Sequence, residues 1–167
     1  MTAARISCYP GATMSKRANG LDKAAVIDDL NAILELELAG VCRYLHYSLM
    51  VFGHARIPII KWMRDQATEG MDHASMAGEH VTTLGGHPSL KIGKLTETHK
   101  HDIQQILREA LDHERATVDL YYKLLDRVVD KNVWLEEYAR EQIQLEERHI
   151  AEIEKMLRRP GDLEPAR

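Results

Sequence analysis

The sequence is poor in cysteine and has no long apolar run, and each shortage excludes a class of protein or site. Its two cysteines, Cys8 and Cys42, form no Cys-x-x-Cys pair, which argues against a disulfide framework and against a rubredoxin-type iron site. No segment is apolar over the roughly 18 residues that a membrane-spanning helix needs, and the N-terminus lacks the apolar core of a signal peptide. We therefore expect no membrane association and a reducing, cytoplasmic location.

Positive charge and aromatic residues are also scarce. The 22 Lys and Arg residues are outnumbered by 26 Asp and Glu, so the formal charge of −4 gives no general electrostatic reason to bind nucleic acid. Aromatic residues make up only 5% of the chain although hydrophobic residues make up 44%. Long runs of Ala, Leu, Glu, Lys and Arg are typical of helices. At 167 residues, the chain is long enough for one domain with a good core.

Four long stretches repeat their apolar residues at spacings of three and four, as buried helices do. Gly53 and Pro58 separate the first two stretches, and Asn132 is a suitable N-cap for the fourth. The expected helices cover about residues 21–52, 58–84, 98–129 and 132–159. They predict an all-α fold, a four-helix bundle in which a long crossover joins two antiparallel hairpins. The expected divisions are a flexible leader at 1–20, the bundle at 21–160 and a short tail at 161–167.

Six carboxylate and imidazole side chains fall on or beside the apolar stripes of these helices. They are Glu37, Glu69, His73, Glu114, Glu146 and His149. In each half of the chain the two glutamates are 32 residues apart, and a histidine follows the second one after three or four residues. Each predicted hairpin therefore carries one helix with a glutamate and one helix with a glutamate and a histidine.

This set of side chains predicts a metal centre inside the bundle. Four carboxylates and two imidazoles facing inward are the ligands by which helical bundles bind two iron ions. Oxygen and nitrogen donors suit both Fe(II) and Fe(III). Without metal, four buried carboxylates would be costly, and two divalent ions offset most of their charge. Each residue alone is more often a boundary or core residue, so the prediction depends on the six together.

Several stretches resemble the bacterioferritins. They are residues 31–52 with Glu37 and Tyr44, the turn at 84–88, the connector at 93–95 and the run at 146–149. The resemblance covers about residues 24–157 and implies a ferritin-like bundle. It also implies a di-iron ferroxidase centre that oxidises Fe(II) with O2 or H2O2 before storage as a ferric mineral inside a hollow cage. The positions that match the family's metal ligands are Glu37, His73, Glu114, Glu146 and His149, and Tyr44 matches a tyrosine close to the iron.

The sequence departs from that family at Gly70, which stands where a bridging carboxylate is expected three residues before His73. On a helix, Glu69 lies ~40° from His73 and can face inward from a slightly longer reach. We expect Glu69 to ligate a metal ion in the first half of the chain. The alternative is that Glu69 points to solvent and leaves the site incomplete.

Two further features concern assembly. Met71 is ~160° from His73 around the helix, so it faces away from the core, where small and apolar neighbours predict a partner subunit. In the family, a methionine here from each of two subunits binds haem iron, so haem is an expected second cofactor; the alternative is simple packing. Only residues 161–167 follow the last predicted helix, too few for the family's short fifth helix. We expect a homo-oligomer that is at least a dimer. Whether the subunits form a cage is not decided by the sequence.

The sequence leaves three functions open. The first is a bacterioferritin-like ferroxidase for iron storage or detoxification, and the second is a non-storage di-iron oxidase or peroxide reductase. The third is a haem-binding or structural subunit with a degenerate metal site, which Gly70 would favour. Of the other histidines, we expect His46 to face away from the core, and His99 and His101 to be solvated.

Overall fold

The computed structural model describes residues 20–95 and 97–163, and these residues form an all-α bundle. Its helices are α1 (Lys23–Met50), α2 (Arg56–Thr83), α3 (Ile103–Val128) and α4 (Val133–Leu157). The predicted fold class is therefore confirmed. The expected leader, apart from Gly20, and the last four residues of the expected tail lie outside the described residues, so this division of the chain stays a prediction.

Side-chain caps explain where three of the helices begin. Asp22 accepts a hydrogen bond from the backbone N–H of Ala25, and Asn132 caps α4 in the same way, as expected. Helix α3 begins at Ile103, about five residues later than expected, because Asp102 is its cap and accepts from the N–H of Gln105. The chain before Asp102 still belongs to the connector between the hairpins.

The connector from α2 to α3 runs along the outside of α1. The N–H of Gly93 donates to the carbonyl of Glu35 at 2.7 Å, and the N–H of Ser89 donates to the side chain of Asn31 at 2.8 Å. A Cβ at residue 93 would lie only 2.8 Å from that carbonyl oxygen, so this close approach requires glycine. These contacts hold the crossover against the first hairpin and lead the chain toward the start of α3.

Two apolar clusters occupy the two ends of the bundle, with a polar layer between them. One cluster contains Leu30 and Ile33 of α1 and Leu135 of α4. The other contains Tyr47 of α1 and Ile153 of α4. Every helix contributes to both clusters, so the middle of each helix is left to face the polar layer. In the part of the chain that the structure describes, no helix is long and apolar enough to cross a membrane.

Candidate metal centre

Five of the six predicted ligands converge in the polar layer, and all five are buried. They are Glu37 on α1, His73 on α2, Glu114 on α3, and Glu146 and His149 on α4. Burial of so many ionisable groups between two apolar clusters is costly unless they are paired with one another or with cations. The layer is therefore the candidate functional site.

The five side chains form two groups of three donors that share one glutamate. Glu37, His73 and Glu146 form one group, and Glu114, Glu146 and His149 form the other, with ligand atoms within 4.8 Å of one another in each group. The Nδ1 atom of His73 lies 3.4 Å from Glu37 Oε1 and 3.3 Å from Glu146 Oε1. The Nδ1 atom of His149 lies 3.9 Å from Glu114 Oε2 and 3.6 Å from Glu146 Oε2. Each oxygen of Glu146 thus faces a different group, as a bridging carboxylate would.

Glu69 lies at the edge of this site, on the far side of both histidine rings. Its Oε2 atom is 3.4 Å from His149 Nε2, and its Oε1 atom is 4.0 Å from His73 Nε2. Gln66 donates a hydrogen bond to the same carboxylate at 3.3 Å. The Nδ1 atoms face the two donor groups, so Glu69 contacts the opposite nitrogens and belongs to neither group. Its side chain is 34% exposed, which places it at the mouth of the site.

Gly70, unlike Glu69, is buried and directed at the donor groups. A Cβ at this position would lie 3.6 Å from Glu37 Oε2 and 3.4 Å from a methyl group of Val41, both ordinary contact distances. The position that lacks the family's carboxylate therefore faces the Glu37 side of the donor groups. A cavity of about 20 Å³, roughly the space of one water molecule, is lined by both Gly70 and Glu69.

Two tyrosines donate hydrogen bonds across the bundle to the outer glutamates. The hydroxyl of Tyr44 donates to Glu114, and the hydroxyl of Tyr121 donates to Glu37 at 2.8 Å. Tyr44 faces the interior, near the position that the resemblance implies for it, whereas Tyr121 is not among the site residues predicted from the sequence. The spacing in the sequence could have predicted the position of Tyr121, because each tyrosine follows the glutamate of its own helix by seven residues, or two helical turns. Each half of the chain thus orients the carboxylate of the other half.

His113 is a further buried residue at the site that the sequence pattern does not predict. It lines the same cavity and packs directly against α1 at Gly40, where a Cβ would lie 2.5 Å from His113 Nε2. Burial, with the nearby charge of Arg43, lowers the pKa of His113 to about 4, so its imidazole is neutral. Gly40 and His113 lie on different helices, so the pattern along either helix cannot predict their contact.

The electrostatics of the site favour the uptake of cations. Burial raises the pKa of Glu37, and burial together with the Glu146 carboxylate raises the pKa of Glu114 well above its usual range. Burial opposes ionisation of Glu146, but the His149 and His73 rings beside its carboxylate hold its pKa well below the usual range. Burial also lowers the pKa of His73, and its carboxylate partners overcome this and raise it to about 10. The metal-free layer therefore holds protons that cations could replace.

The residues present fit a pair of metal ions. The Oε2 atom of Glu146 is buried without a hydrogen-bond partner in the described residues, although it faces His149 Nδ1 from 3.6 Å. A buried carboxylate oxygen without a partner is unfavourable, and a cation would satisfy it. The donors are carboxylate oxygens and imidazole nitrogens, which suit Fe(II) and other first-row divalent ions.

The predicted haem position lies on the opposite side of α2. Met71 is 47% exposed and lines an open groove of about 330 Å³ together with Leu34, Leu38 and Gly78. This matches the outward direction expected for Met71. His80, also on α2, is buried in the core, where the centroid of its ring lies 4.2 Å from that of the Tyr138 ring.

Known structures share this architecture. A dodecameric thioferritin, the bacterioferritin-related protein of Bacteroides fragilis, superposes with a TM-score of 0.79 at 23% identity, covering 84% of this chain and 89% of that chain. The Rhodobacter capsulatus bacterioferritin, with a metal-free dinuclear site and haem iron, gives 0.72 at 24% identity, covering 80% and 84%. The Desulfovibrio desulfuricans bacterioferritin, whose di-iron site was seen in different catalytic states, gives 0.72 at 26% identity, covering 86% and 83%.

Sequence comparison agrees with the structural likeness. No curated protein matches the sequence. Residues 27–160 match the family model of the Ferritin-like domain, which is most of the chain. The resemblance predicted from the sequence motifs is therefore confirmed, and the chain belongs to the ferritin-like domain family.

Proposed function

We propose that this protein is a bacterioferritin-like ferroxidase that oxidises Fe(II) to Fe(III) at a di-iron centre inside the bundle. The observation that carries the proposal is the pair of three-donor groups that share Glu146. Two Fe(II) ions bound there would each give one electron to O2 or H2O2. The protein would supply the geometry and the charge of the site. Storage or detoxification of iron is the purpose that this activity would serve.

Each ligand has a distinct part in this proposal. Glu37 and His73 would hold one ion, Glu114 and His149 would hold the other, and Glu146 would serve both, because it belongs to both donor groups. Both histidines would bind through Nδ1, because that nitrogen faces the shared carboxylate. Bound cations would lower the pKa values that burial raises, so the outer glutamates would release their protons as iron enters.

Tyr44 and Tyr121 would keep the outer glutamates in place. A hydroxyl that donates to one carboxylate oxygen leaves the other oxygen to the metal and fixes the orientation of the group. Tyr44 bonds Glu114 Oε1, while Glu114 Oε2 is the atom near His149. We propose Tyr44 as the residue closest to the chemistry, in agreement with the resemblance. Tyr121 has the equivalent position at Glu37.

The part of Glu69 depends on which side of the histidine rings it occupies when metal is bound. As placed, its carboxylate faces the Nε2 atoms of both rings, at 3.4 Å from that of His149 and 4.0 Å from that of His73, and would favour this ring orientation electrostatically. To become a ligand, as the sequence predicts, its carboxylate must move around the rings, which the missing side chain of Gly70 eases. Glu69→Ala distinguishes the two: two weakly bound ions per chain indicate a positioning role, whereas loss of one ion indicates a ligand.

The oxidation of Fe(II) provides the direct test of the proposed activity. Glu114→Ala should abolish rapid Fe(II) oxidation, followed by the absorbance of the ferric product, while circular dichroism shows unchanged helical content. Glu137→Ala is the matched control, because Glu137 is an exposed glutamate outside the polar layer. Equal oxidation rates in wild type and Glu114→Ala would refute the catalytic proposal, and metal analysis showing no bound ions would leave the structural-subunit alternative.

Particle size separates storage from the alternative of a non-storage di-iron oxidase or peroxide reductase. We propose a homo-oligomer whose contacts include the groove around Met71, because this groove is apolar, open and next to the bundle's first hairpin. Light scattering of the iron-loaded protein should show a large closed assembly if the protein stores mineral. A dimer that turns over iron without retaining it would favour the non-storage oxidase. The cytoplasmic location stays a prediction.

Haem is the second proposed cofactor, at Met71 between two subunits. The half-exposed thioether in an apolar groove is what favours it over an ordinary core methionine. Protein incubated with haem should show absorption typical of two thioether ligands, and Met71→Leu should remove it. If no such absorption develops in the wild type, only the packing role is left.

A further inference from the structure

Three side chains, one from α1 and two from the connector, meet on the outside of the first hairpin, away from the buried centre. His46 lies on α1, Glu97 lies in the connector, and His101 stands just before the cap of α3. His46 Nε2 and His101 Nε2 are each 3.1 Å from Glu97 Oε1. One ligand atom from each residue lies within 4.8 Å of the other two. We call this group the outer triad.

The geometry points to a second metal site: we propose that the outer triad binds one divalent transition-metal ion, with Zn²⁺ as its probe. Two imidazole nitrogens and one carboxylate oxygen are donors that such ions prefer, with bonds of about 2.0–2.2 Å to zinc. Two ligands of one tetrahedral zinc ion are about 3.4 Å apart at these bond lengths. The observed 3.1 Å separations are close to this, so small side-chain rotations suffice.

The site is open to solvent, so an ion can enter directly. The side chains of His46, Glu97 and His101 are 44%, 32% and 37% exposed. The three protein ligands leave a fourth position for water. His99 is also near, because its Nδ1 atom lies 3.4 Å from the second oxygen of Glu97, although its side chain is 80% exposed.

Ion pairing alone is a poor explanation for this convergence. Exposed pairs are worth about 0–1 kcal/mol, and His46 and His101 approach the same oxygen of Glu97. Protonation of both rings would place two positive charges beside each other. One dication bound by two neutral rings and the carboxylate satisfies all three groups at once.

An ion at the outer triad would fasten the connector to α1. His46 and Glu97 are 51 residues apart in sequence, so the ion would link α1 to a distant part of the chain. The next residue, Thr98, donates a hydrogen bond to Glu109 of α3, which also accepts one from Tyr47 of α1 at 3.0 Å. The ion would therefore reinforce a junction where α1, the connector and α3 already meet.

Zinc titration of the metal-free protein, followed by calorimetry and metal analysis, tests the proposal. The wild type should bind one ion more per chain than His46→Ala or His101→Ala. Loss of an outer hydrogen-bond partner of a metal ligand costs about 10–100-fold in affinity, so loss of a ligand should weaken this ion by at least about 100-fold. His54→Ala is the matched control, because His54 is exposed and outside the triad.

Two further measurements locate the ion and separate it from the buried centre. Anomalous diffraction at the zinc edge should show a peak beside Glu97, and zinc should slow hydrogen exchange over residues 90–101 in the wild type but not in His101→Ala. Glu114→Ala should keep this ion even where it loses ions in the bundle. Equal stoichiometry and affinity in the wild type and His101→Ala, or no anomalous peak beside Glu97, would overturn the proposal.

Discussion

Replacement of Gly70 by glutamate should make the stability of the fold depend more strongly on metal, because it returns a carboxylate to a position that faces the donor groups. The new Cβ meets Val41 and Glu37 only at ordinary contact distances of 3.4–3.6 Å, so the backbone need not move. Any residue other than glycine or proline gains helix stability here, by roughly 0.5–1 kcal/mol in the case of alanine. Gly70→Gln has nearly the same size without the charge and is the matched control.

The difference in stability between Gly70→Glu and Gly70→Gln should be larger without metal than with it. Without metal, the added carboxyl group enters a buried layer that already holds Glu37, Glu114 and Glu146. Burying it without a partner costs about 1–3 kcal/mol relative to the glutamine variant. Each kcal/mol shifts the melting temperature by about 2–4 °C in a chain of this size. Gly70→Glu should therefore melt about 2–12 °C below Gly70→Gln in the presence of a chelator.

With Fe(II) or Co(II) under anaerobic conditions, Gly70→Glu should gain more in melting temperature than Gly70→Gln does, so the gap between the two variants should narrow or close. An additional carboxylate ligand that tightens binding tenfold adds about 1.4 kcal/mol when the ions are in excess. Differential scanning fluorimetry at one fixed protein concentration measures both comparisons. If the two variants melt together in both states, residue 70 does not face a metal centre and the proposed ligand arrangement is wrong.

Two other substitutions test the surroundings of the centre. Gly40→Ala should lower the free energy of unfolding by about 1–3 kcal/mol, measured by thermal melts, because the new Cβ would lie 2.5 Å from His113 Nε2. Gly78→Ala is the control. Its Cβ would meet only a Leu34 carbon at 4.0 Å, so it should not destabilise the fold. Tyr121→Phe should weaken metal binding by about 10–100-fold in calorimetric titration, because Glu37 loses its hydroxyl donor. Tyr122→Phe is the control. It removes only an exposed hydrogen bond to Glu147 and should bind metal as the wild type does.

The helices and the buried placement of most of the donor side chains could be predicted because they depend on periodicity along one helix. An apolar stripe fixes which side of each helix is buried, and Glu37, Glu114 and His149 follow directly from it. The ends of the helices were harder, since α3 begins where Asp102 caps it rather than where the helical pattern starts. Caps and crossover contacts, such as the bond from Gly93 to Glu35, are decided between segments.

Relations between helices could not be predicted from one sequence alone. One residue step turns a side chain by about 100°, so the difference between Glu69 and Gly70 depends on how α2 is rotated against its neighbours. The structure places Glu69 at the Nε2 side of the rings and Gly70 toward Glu37. The outer triad shows the same limit: His46 faces away from the core as expected, but only the fold brings Glu97 and His101 to it.

The metal-free protein should lose stability as the pH rises from about 7 to about 9.5. The reason is His73, whose pKa is about 10 in the fold compared with 6.5 for the free side chain. A base with a raised pKa stabilises the fold fully below its unfolded pKa, and this contribution is lost as the pH rises through the folded pKa. Burial also raises the pKa of Glu114 well above its usual range, which acts in the same direction as the carboxyl group ionises.

The change in the free energy of unfolding per pH unit, and the share of it that is due to His73, can be measured directly. One proton released on unfolding gives at most about 1.4 kcal/mol per pH unit, so the effect of His73 is visible in thermal melts with a chelator present. His113 does not interfere, because its pKa is lowered to about 4 and it is already neutral across this range. His73→Gln should flatten the profile, whereas the exposed His54→Gln should not. Should His73→Gln and the wild type show the same slope, His73 is not held protonated by Glu146 and Glu37, and the charge arrangement derived for the metal-free centre is incorrect.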